Sequence, residues 1–340
     1  MKPIDLRSDT VTKPTKAMLE YMFQAETGDD VYGEDPTVNL LEKSCAQLFG
    51  KEAGLFCPSG TMTNQIAIKL HTEPLSEVIC DQTAHIYNYE GGGIAFNSAA
   101  SVCLIPGLRG KITADQVHES IRPDNIHYPI SRMVSLENTS NKGGGSFYTA
   151  AEIAPIAEVC RAGNLALHLD GARIFNALTA SQEKPAQHGQ YFDTISVCFS
   201  KGLGAPVGSV LLGTEVHIKK ARRIRKVLGG GMRQAGYLAA AGIYALQNNL
   251  DRLAEDHKRA RHLEEALKTC TFVAEILPVE TNIVIFKLQS GIQPEAFLAR
   301  LAQQNILASG FGPQQIRLVT HLDFDDEMLE RTILALKNFA

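Results

Sequence analysis

The sequence lacks an excess of either charge. Lys and Arg number 33 against 37 Asp and Glu, a formal net charge of −4. That balance gives no electrostatic footprint for nucleic acid. The one basic cluster, Lys219 to Lys226, reads as a solvated or interface-facing helix side. Long apolar runs are also missing: no window approaches the ~18 uninterrupted apolar residues of a membrane-spanning helix. The opening Met1-Lys2-Pro3-Ile4-Asp5 has no apolar core of a secretory signal. None of the seven cysteines (45, 57, 80, 103, 160, 198 and 270) forms a Cys-x-x-Cys pair. Reduced core thiols in a cytoplasmic protein are the expected reading. There is no Walker loop, no Gly-x-Gly-x-x-Gly after a strand, no repeat and no low-complexity stretch.

What is there is ordinary in bulk and patterned in detail. Apolar residues make up 44% and charged residues 21%, as in a typical globular chain. At 340 residues, two domains are expected. Pro14 starts a helix to about Gln24, and Pro36 opens another whose apolar positions are Leu40, Leu41, Cys45, Leu48 and Phe49. Between them, Gly28 to Asp35 is a turn-rich acidic loop, either solvated or functional. Strands and helices then alternate. Strands over 53–57, 78–80, 102–105, 133–136, 165–169, 194–199 and 210–212 are interleaved with helices over 62–71, 113–121 and 150–161. This order predicts an α/β domain with a mostly parallel sheet and helices on both faces. Binding sites in such sheets lie off the carboxyl ends of the strands. Ser59, Gly60, Thr61, Asp81, Glu137, Asp170, Ser200 and Lys201 are therefore expected on one rim. After Gly229-Gly230-Gly231 come two helices. Shorter strands near 273, 283–286, 306 and 316–319 follow, with helices over 294–303 and from 326. The expected division is a large domain over 13–248 and a smaller α+β domain over 249–340.

Three motifs carry chemistry. Ser200-Lys201-Gly202-Leu203-Gly204 puts a lysine at the end of an apolar strand. Alone, it fits a surface lysine or a Schiff-base amine. Pro58-Ser59-Gly60-Thr61 joins a strand to a helix, which fits an ordinary N-cap or a phosphate cup. His168-Leu169-Asp170-Gly171-Ala172-Arg173 places an acid at a strand tip. It fits a structural Asp–Arg pair, or an anchor for a heterocycle nitrogen with Arg173 gripping an oxyanion or a substrate carboxylate bidentately. Lys201 follows Asp170 by 31 residues, so the two fit neighbouring or near-neighbouring strands. Lysine, acid and anion cup together are what pyridoxal 5′-phosphate requires. His85 fits a ring-facing or proton-transferring role. Arg317, between apolar strand residues, calls for an anionic partner, either a substrate carboxylate or an internal acid. His127, Tyr89, Glu90 and His321 are weaker candidates. No metal site is assigned.

At these residues the chain resembles the low-specificity L-threonine aldolases of the fold-type I, aspartate aminotransferase-like pyridoxal-phosphate superfamily. The resemblance spans nearly the whole length, through Leu6 to Thr12, Gly28 to Gly33, Leu136-Glu137-Asn138-Thr139, Leu167 to Arg173, Ser200 to Gly204, Gly229 to Gln234 and Arg317 to His321. It implies retro-aldol cleavage of L-threonine and L-allo-threonine to glycine and acetaldehyde. By that resemblance Lys201 carries the cofactor and Asp170 faces its ring nitrogen. Ser59, Gly60, Thr61 and Ser200 hold its phosphate, and His85 stacks on the ring. Ser8, Arg173 and Arg317 take the substrate carboxylate, so segment 1–12 contributes to the site. His127 helps read the β-hydroxyl, and His85, His127 or a water is the base. Tyr32, Tyr89, Glu90, Lys226 and Arg233 lie near the site or a subunit interface of a homotetramer built as a dimer of dimers. Ser140 departs from the family's frequent His, which bears on aldehyde preference.

Overall fold

The computed structural model describes residues 3–339. A short strand, β1 (Ile4–Asp5), precedes the first helix, α1 (Lys16–Phe23). Pro14 lies outside that helix because Thr15 is the N-cap, its side chain accepting the Met18 N–H. The second helix, α2 (Pro36–Phe49), starts as expected: Pro36 fills the first turn and the Asp35 carboxylate accepts the N–H groups of Thr37 and Val38. Leu41, Cys45 and Phe49 are buried along one face of this helix, whereas Leu40 is 51% exposed.

The large sheet has seven strands: β2 (Ala53–Cys57), β3 (Ser76–Asp81), β4 (Ser101–Ile105), β5 (Ile130–Glu137), β6 (Ala166–Gly171), β7 (Thr194–Cys198) and β8 (Ser209–Gly213), in the order β2-β8-β7-β6-β5-β3-β4. The core pairings β7 to β6, β6 to β5, β5 to β3 and β3 to β4 are parallel. β8 runs against both β2 and β7. The sheet is thus mostly parallel, with one reversed strand. Its centre reads as near-continuous apolar sequence because both faces are covered. Helix α3 (Gly60–His71) packs on one face with its Ile66, Ala67 and Leu70 against Leu55 and Leu211. The other face holds Leu41, Phe49, Ile153, Phe175 and Phe199 in one core. Short helices at 85–88, 93–98, 174–181 and 185–189 have too few turns to show a period and are absent from the sequence reading.

Beyond residue 268 a four-stranded antiparallel sheet forms, in which residues 315–319 lie between 309–312 and 283–288. Phe272, Phe286, Phe297 and Leu318 build a separate core there. Ile4 and Leu6 belong to this second core, and β1 pairs in parallel with residues 306–307. The N-terminal segment is therefore threaded into the C-terminal part of the fold. His321 pins it further, with Nε2 at 2.7 Å from the Asp5 carbonyl oxygen. The acidic loop before α2 is mostly consumed by structure. Asp30 pairs with buried Arg225 at 2.7 Å, Asp29 pairs with Arg233 at 2.9 Å, and Asp35 also accepts the Gly236 N–H. Part of the basic cluster likewise turns inward, with Arg222 on Glu42.

Candidate active site

The parallel strands end on one rim, and the connections leaving them meet there. β2 ends at Cys57, and Ser59 caps α3 by accepting the Met62 N–H at 3.2 Å. Thr63 N–H donates to the Ser59 carbonyl. The amides of Gly60 and Thr61 are left with no partner among the described residues. Two free N–H groups at the positive end of a 12-residue helix attract an anion. A Cβ on Gly60 would lie 2.5 Å from the Cys198 Sγ, so only glycine lets α3 begin this close to the end of β7.

Asp170 is buried at the tip of β6. One of its oxygens accepts the Ala172 N–H at 3.1 Å and the other accepts the Asn64 side-chain amide at 2.9 Å. The same amide donates to Glu90 Oε1 at 2.9 Å, and Gln65 donates to Glu90 Oε2 at 2.7 Å. His85, a third exposed, places Nδ1 3.0 Å from Glu90 Oε1. Burial would depress the His85 pKa, but Glu90 and Asp170 raise it overall. Glu137, at the tip of β5, accepts the backbone N–H groups of His85 and Asn141. Burial, and then Asp170, push its pKa up to about 7. The ligand atoms of His85, Glu90 and Asp170 lie within 4.8 Å of one another, a spacing that suits a cation as well as a protonated ring nitrogen.

Lys201 follows β7, half-buried, and lines a small cleft with Ala172, Arg173 and Cys198. Its neighbourhood contains a residue that sequence reasoning missed. Asp9, fully buried, accepts two 2.7 Å bonds from Arg173 Nε and Nη2. Burial opposes its charge, yet Arg173 and then Lys201 hold its pKa at about 2. Arg173 is thus tethered in a structural Asp–Arg pair, but to Asp9 and not to the neighbouring Asp170. Arg317 behaves oppositely. It is 9% exposed, donates to the Asn141 side chain at 2.7 Å and the Arg7 carbonyl at 2.8 Å, and lies over the Phe311 ring. Its Nε has no partner, and no acid among the described residues pairs with it. Burial, followed by Arg173, lowers its pKa to about 10. A buried guanidinium facing only neutral oxygens is a site for an anion.

The other expected residues divide. Ser8 caps the turn that carries Asp9, so it stands beside Arg173's partner. Tyr89 packs against the His85 ring at 5.6 Å. Ser200 adjoins Lys201 on the same loop. His127 is not brought to this rim. It is exposed in the loop before Ile130, where β5 begins, while Glu137 at the other end of that strand faces the site. Eight residues of strand put about 25 Å between the two ends. Tyr32 (76% exposed) and Lys226 are on the outer surface, and Arg233 is spent on Asp29. Ser140 is buried next to Asn141: its Oγ accepts the Gly143 N–H, and a Cβ on Gly110 would meet it at 2.0 Å.

The family model described as beta-eliminating lyase matches residues 5–290. The low-specificity L-threonine aldolase of Escherichia coli is 45% identical over 328 residues, 96% of each chain. Low-specificity L-threonine aldolase 1 of Arabidopsis thaliana is 40% identical, over 94% of this chain and 92% of that one. A solved structure of the Leishmania major threonine aldolase superposes with a TM-score of 0.86 over 98% of this chain and 99% of the other. Its identity is 23%, so that likeness concerns the fold. The agreement in sequence over nearly the full length, together with a rim that unites a lysine, an acid and an anion cup, leads to one conclusion: the chain belongs to the low-specificity L-threonine aldolases within the beta-eliminating lyase family.

Proposed function

We propose that this protein is a pyridoxal 5′-phosphate-dependent aldehyde-lyase that cleaves L-threonine and L-allo-threonine to glycine and acetaldehyde. The residues present fit the cofactor. Free amides of Gly60 and Thr61 suit a phosphate, the Asp170 carboxylate keeps lone-pair capacity for a ring N–H, and Lys201 supplies the amine. When bound, pyridoxal 5′-phosphate supplies an electron sink for the bonding pair released as Cα–Cβ breaks. Everything else is asked of the chain. Lys201 would hold the cofactor through its side-chain amine. Ser59 and Ser200 add hydroxyls to the phosphate cup. Arg317 binds the substrate carboxylate, with Ser8 and the remaining donor of Arg173 beside it. Held there, the carboxylate sets the rotation about the Cα–N bond, which selects the bond that breaks. His85 covers the open face of the site and is placed to take the β-hydroxyl proton, alone or through water. Such base help is worth roughly 10²- to 10⁴-fold.

The observation that carries this reading is Arg317, a buried cation with an unpartnered Nε and no paired acid among the described residues, on the rim that also holds Lys201. The test uses the purified protein. L-Threonine without added keto acid is expected to yield equimolar glycine and acetaldehyde. Borohydride is expected to fix the cofactor to Lys201, and Lys201→Ala to abolish both adduct and product. Keto acid or D-threonine as the sole product would point to an aminotransferase, a β-eliminating lyase or a racemase of the same fold and overturn the assignment. A non-catalytic binding protein would show no adduct at all.

The reaction serves threonine breakdown and glycine formation. We place it in the cytoplasm, and seven free thiols support a reducing compartment. Among the described residues no helix is long and apolar enough to cross a membrane. A homotetramer built as a dimer of dimers is supported by exposed apolar side chains at Phe23 (81%), Tyr32 (76%) and Val227 (87%), the last adjoining Lys226. Shared active sites would give His127, Tyr32, Lys226 and Arg233 their place. Sedimentation of the protein at micromolar concentration tests this.

A further inference from the structure

Below the site, a chain of buried polar groups crosses the sheet from rim to rim. His168 and Asp170 are two apart on β6 and so share one face. Asn64 and His71 are seven apart on α3, two turns along one side of the helix that covers that face. Thr194, the first residue of β7, pairs in register with His168. The contacts are continuous. Asn64 Nδ2 lies 2.9 Å from Asp170 Oδ2, Asn64 Oδ1 lies 3.2 Å from His168 Nε2, His168 Nδ1 lies 2.9 Å from Thr194 Oγ1, and that hydroxyl lies 3.1 Å from His71 Nε2. His71 in turn lines a cavity of about 580 Å³ at the far rim, beside His217.

The donor and acceptor roles follow from one end. Asn64 Nδ2 sits between the carboxylates of Asp170 and Glu90, so it must be the amide nitrogen, and Oδ1 faces His168. His168 then carries its proton on Nε2. Its bare Nδ1 takes the Thr194 hydroxyl proton, and the Thr194 oxygen is left to accept from His71 Nε2–H. Every N–H and O–H along the line points toward Asp170. Aligned hydrogen bonds polarise one another, and in a buried, low-dielectric setting that alignment favours negative charge at the receiving end.

We propose that His71, Thr194, His168 and Asn64 form a one-way hydrogen-bond relay, with His168 the positioning residue that locks Asn64 with its amide on Asp170. The relay rests on the cofactor reading above only for its purpose, which is to hold Asp170 as a charge acceptor under the ring nitrogen. If His168 lost its Nε2 proton to Nδ1, its bare Nε2 would face Asn64 Oδ1, and the repulsion between two acceptors would loosen the amide against Asp170.

The first test reads the relay without cofactor. Long-range ¹H–¹⁵N correlation on the full chain, labelled at histidine, is expected to show His168 neutral with its proton on Nε2. A proton on Nδ1 would overturn the relay whatever the enzyme does. Thr194→Val keeps the shape and removes the hydroxyl that donates to Nδ1 and accepts from His71, so it is expected to shift the His168 Nδ1 resonance while the proton stays on Nε2, facing Asn64. It is also expected to weaken retention of added pyridoxal 5′-phosphate roughly 3- to 10-fold, the effect of one net hydrogen bond. His168→Phe is expected to weaken it roughly 10- to 100-fold. His168→Gln, whose amide can still donate to Asn64, is expected to recover to within about threefold. Equal losses in the Phe and Gln variants, or an unshifted His168 Nδ1 resonance in Thr194→Val, would refute the assignment. Failure of the wild-type chain to take up pyridoxal 5′-phosphate, with the tautomer as expected, would instead refute the functional reading alone.

Discussion

Asp9→Asn is the perturbation that most directly probes how the site is held. In the native protein the Asp9 carboxylate is fully buried, accepts two 2.7 Å bonds from Arg173 and is approached by the Asn282 amide at 3.3 Å. Its pKa falls from 3.8 to about 2, because Arg173 and Lys201 outweigh the burial that would raise it. The depression corresponds to about 2 kcal/mol of stability. A folded pKa below the unfolded one means that this stability is present above about pH 4 and lost as pH falls through about 2. The substitution at neutral pH costs more. It leaves Arg173 buried and charged with no counter-ion, and breaking a buried pair from one side costs about 3–5 kcal/mol. A chain of this length unfolds with an entropy near ~0.7 kcal/mol/K, so the melting temperature is expected to drop by about 4–7 °C. Scanning calorimetry of the parent and Asp9→Asn at about pH 7.5 measures it. Asp9→Leu combined with Arg173→Met removes both charges and is expected to recover part of the loss. Because Arg173 loses its tether, KM for L-threonine is expected to rise as well. A melting temperature within about 1 °C of the parent would refute the buried pair as a structural tie between the N-terminal segment and the cofactor rim.

Arg317→Gln removes a buried cation that pairs with no acid among the described residues, and KM for L-threonine is expected to rise about 10- to 100-fold with a smaller change in kcat. Steady-state kinetics separates the two, and a change confined to kcat would contradict a carboxylate-binding role. Glu137 has its folded pKa raised to about 7 by burial and Asp170, so it binds a proton in the folded state that the unfolded chain has lost. Its contribution is present below the unfolded value near 4.5 and declines as pH rises through about 7. Glu137→Gln is expected to flatten that part of the stability–pH curve in urea titrations. Burial holds His168 neutral, with a pKa lowered to about 4. The unfolded chain therefore takes up the proton first as pH drops below about 6.5, and His168 alone is expected to cost about 2 kcal/mol by pH 5. A His168→Gln protein that lost stability as steeply as the parent over that interval would contradict this.

Much of the architecture is written locally. Apolar runs four to eight residues long, punctuated by Gly, Pro and acids, mark strands whose tips carry Asp170, Glu137 and Lys201. Since parallel strands share a polarity, their tips share a rim, and the grouping of those residues is legible without coordinates. The reversal of β8 is not, because a strand's direction depends on its pairing rather than its composition. The short helices at 85–88 and 93–98, which place His85 and cover Gln65, are likewise too brief to show a period.

What the sequence by itself determined is the family, the sheet and the identity of the lysine, the acid and the anion cup, because each lies in a short motif with its own conformational signature. Only the tertiary structure decided the partners. Asp9 meets Arg173 across 164 residues, His168 reaches Asn64 across 104, and Arg317 is left without an acid among the described residues. His127 is carried to the opposite end of its strand. A buried charge is defined by what surrounds it in space, and no local pattern encodes which distant segment will close over it.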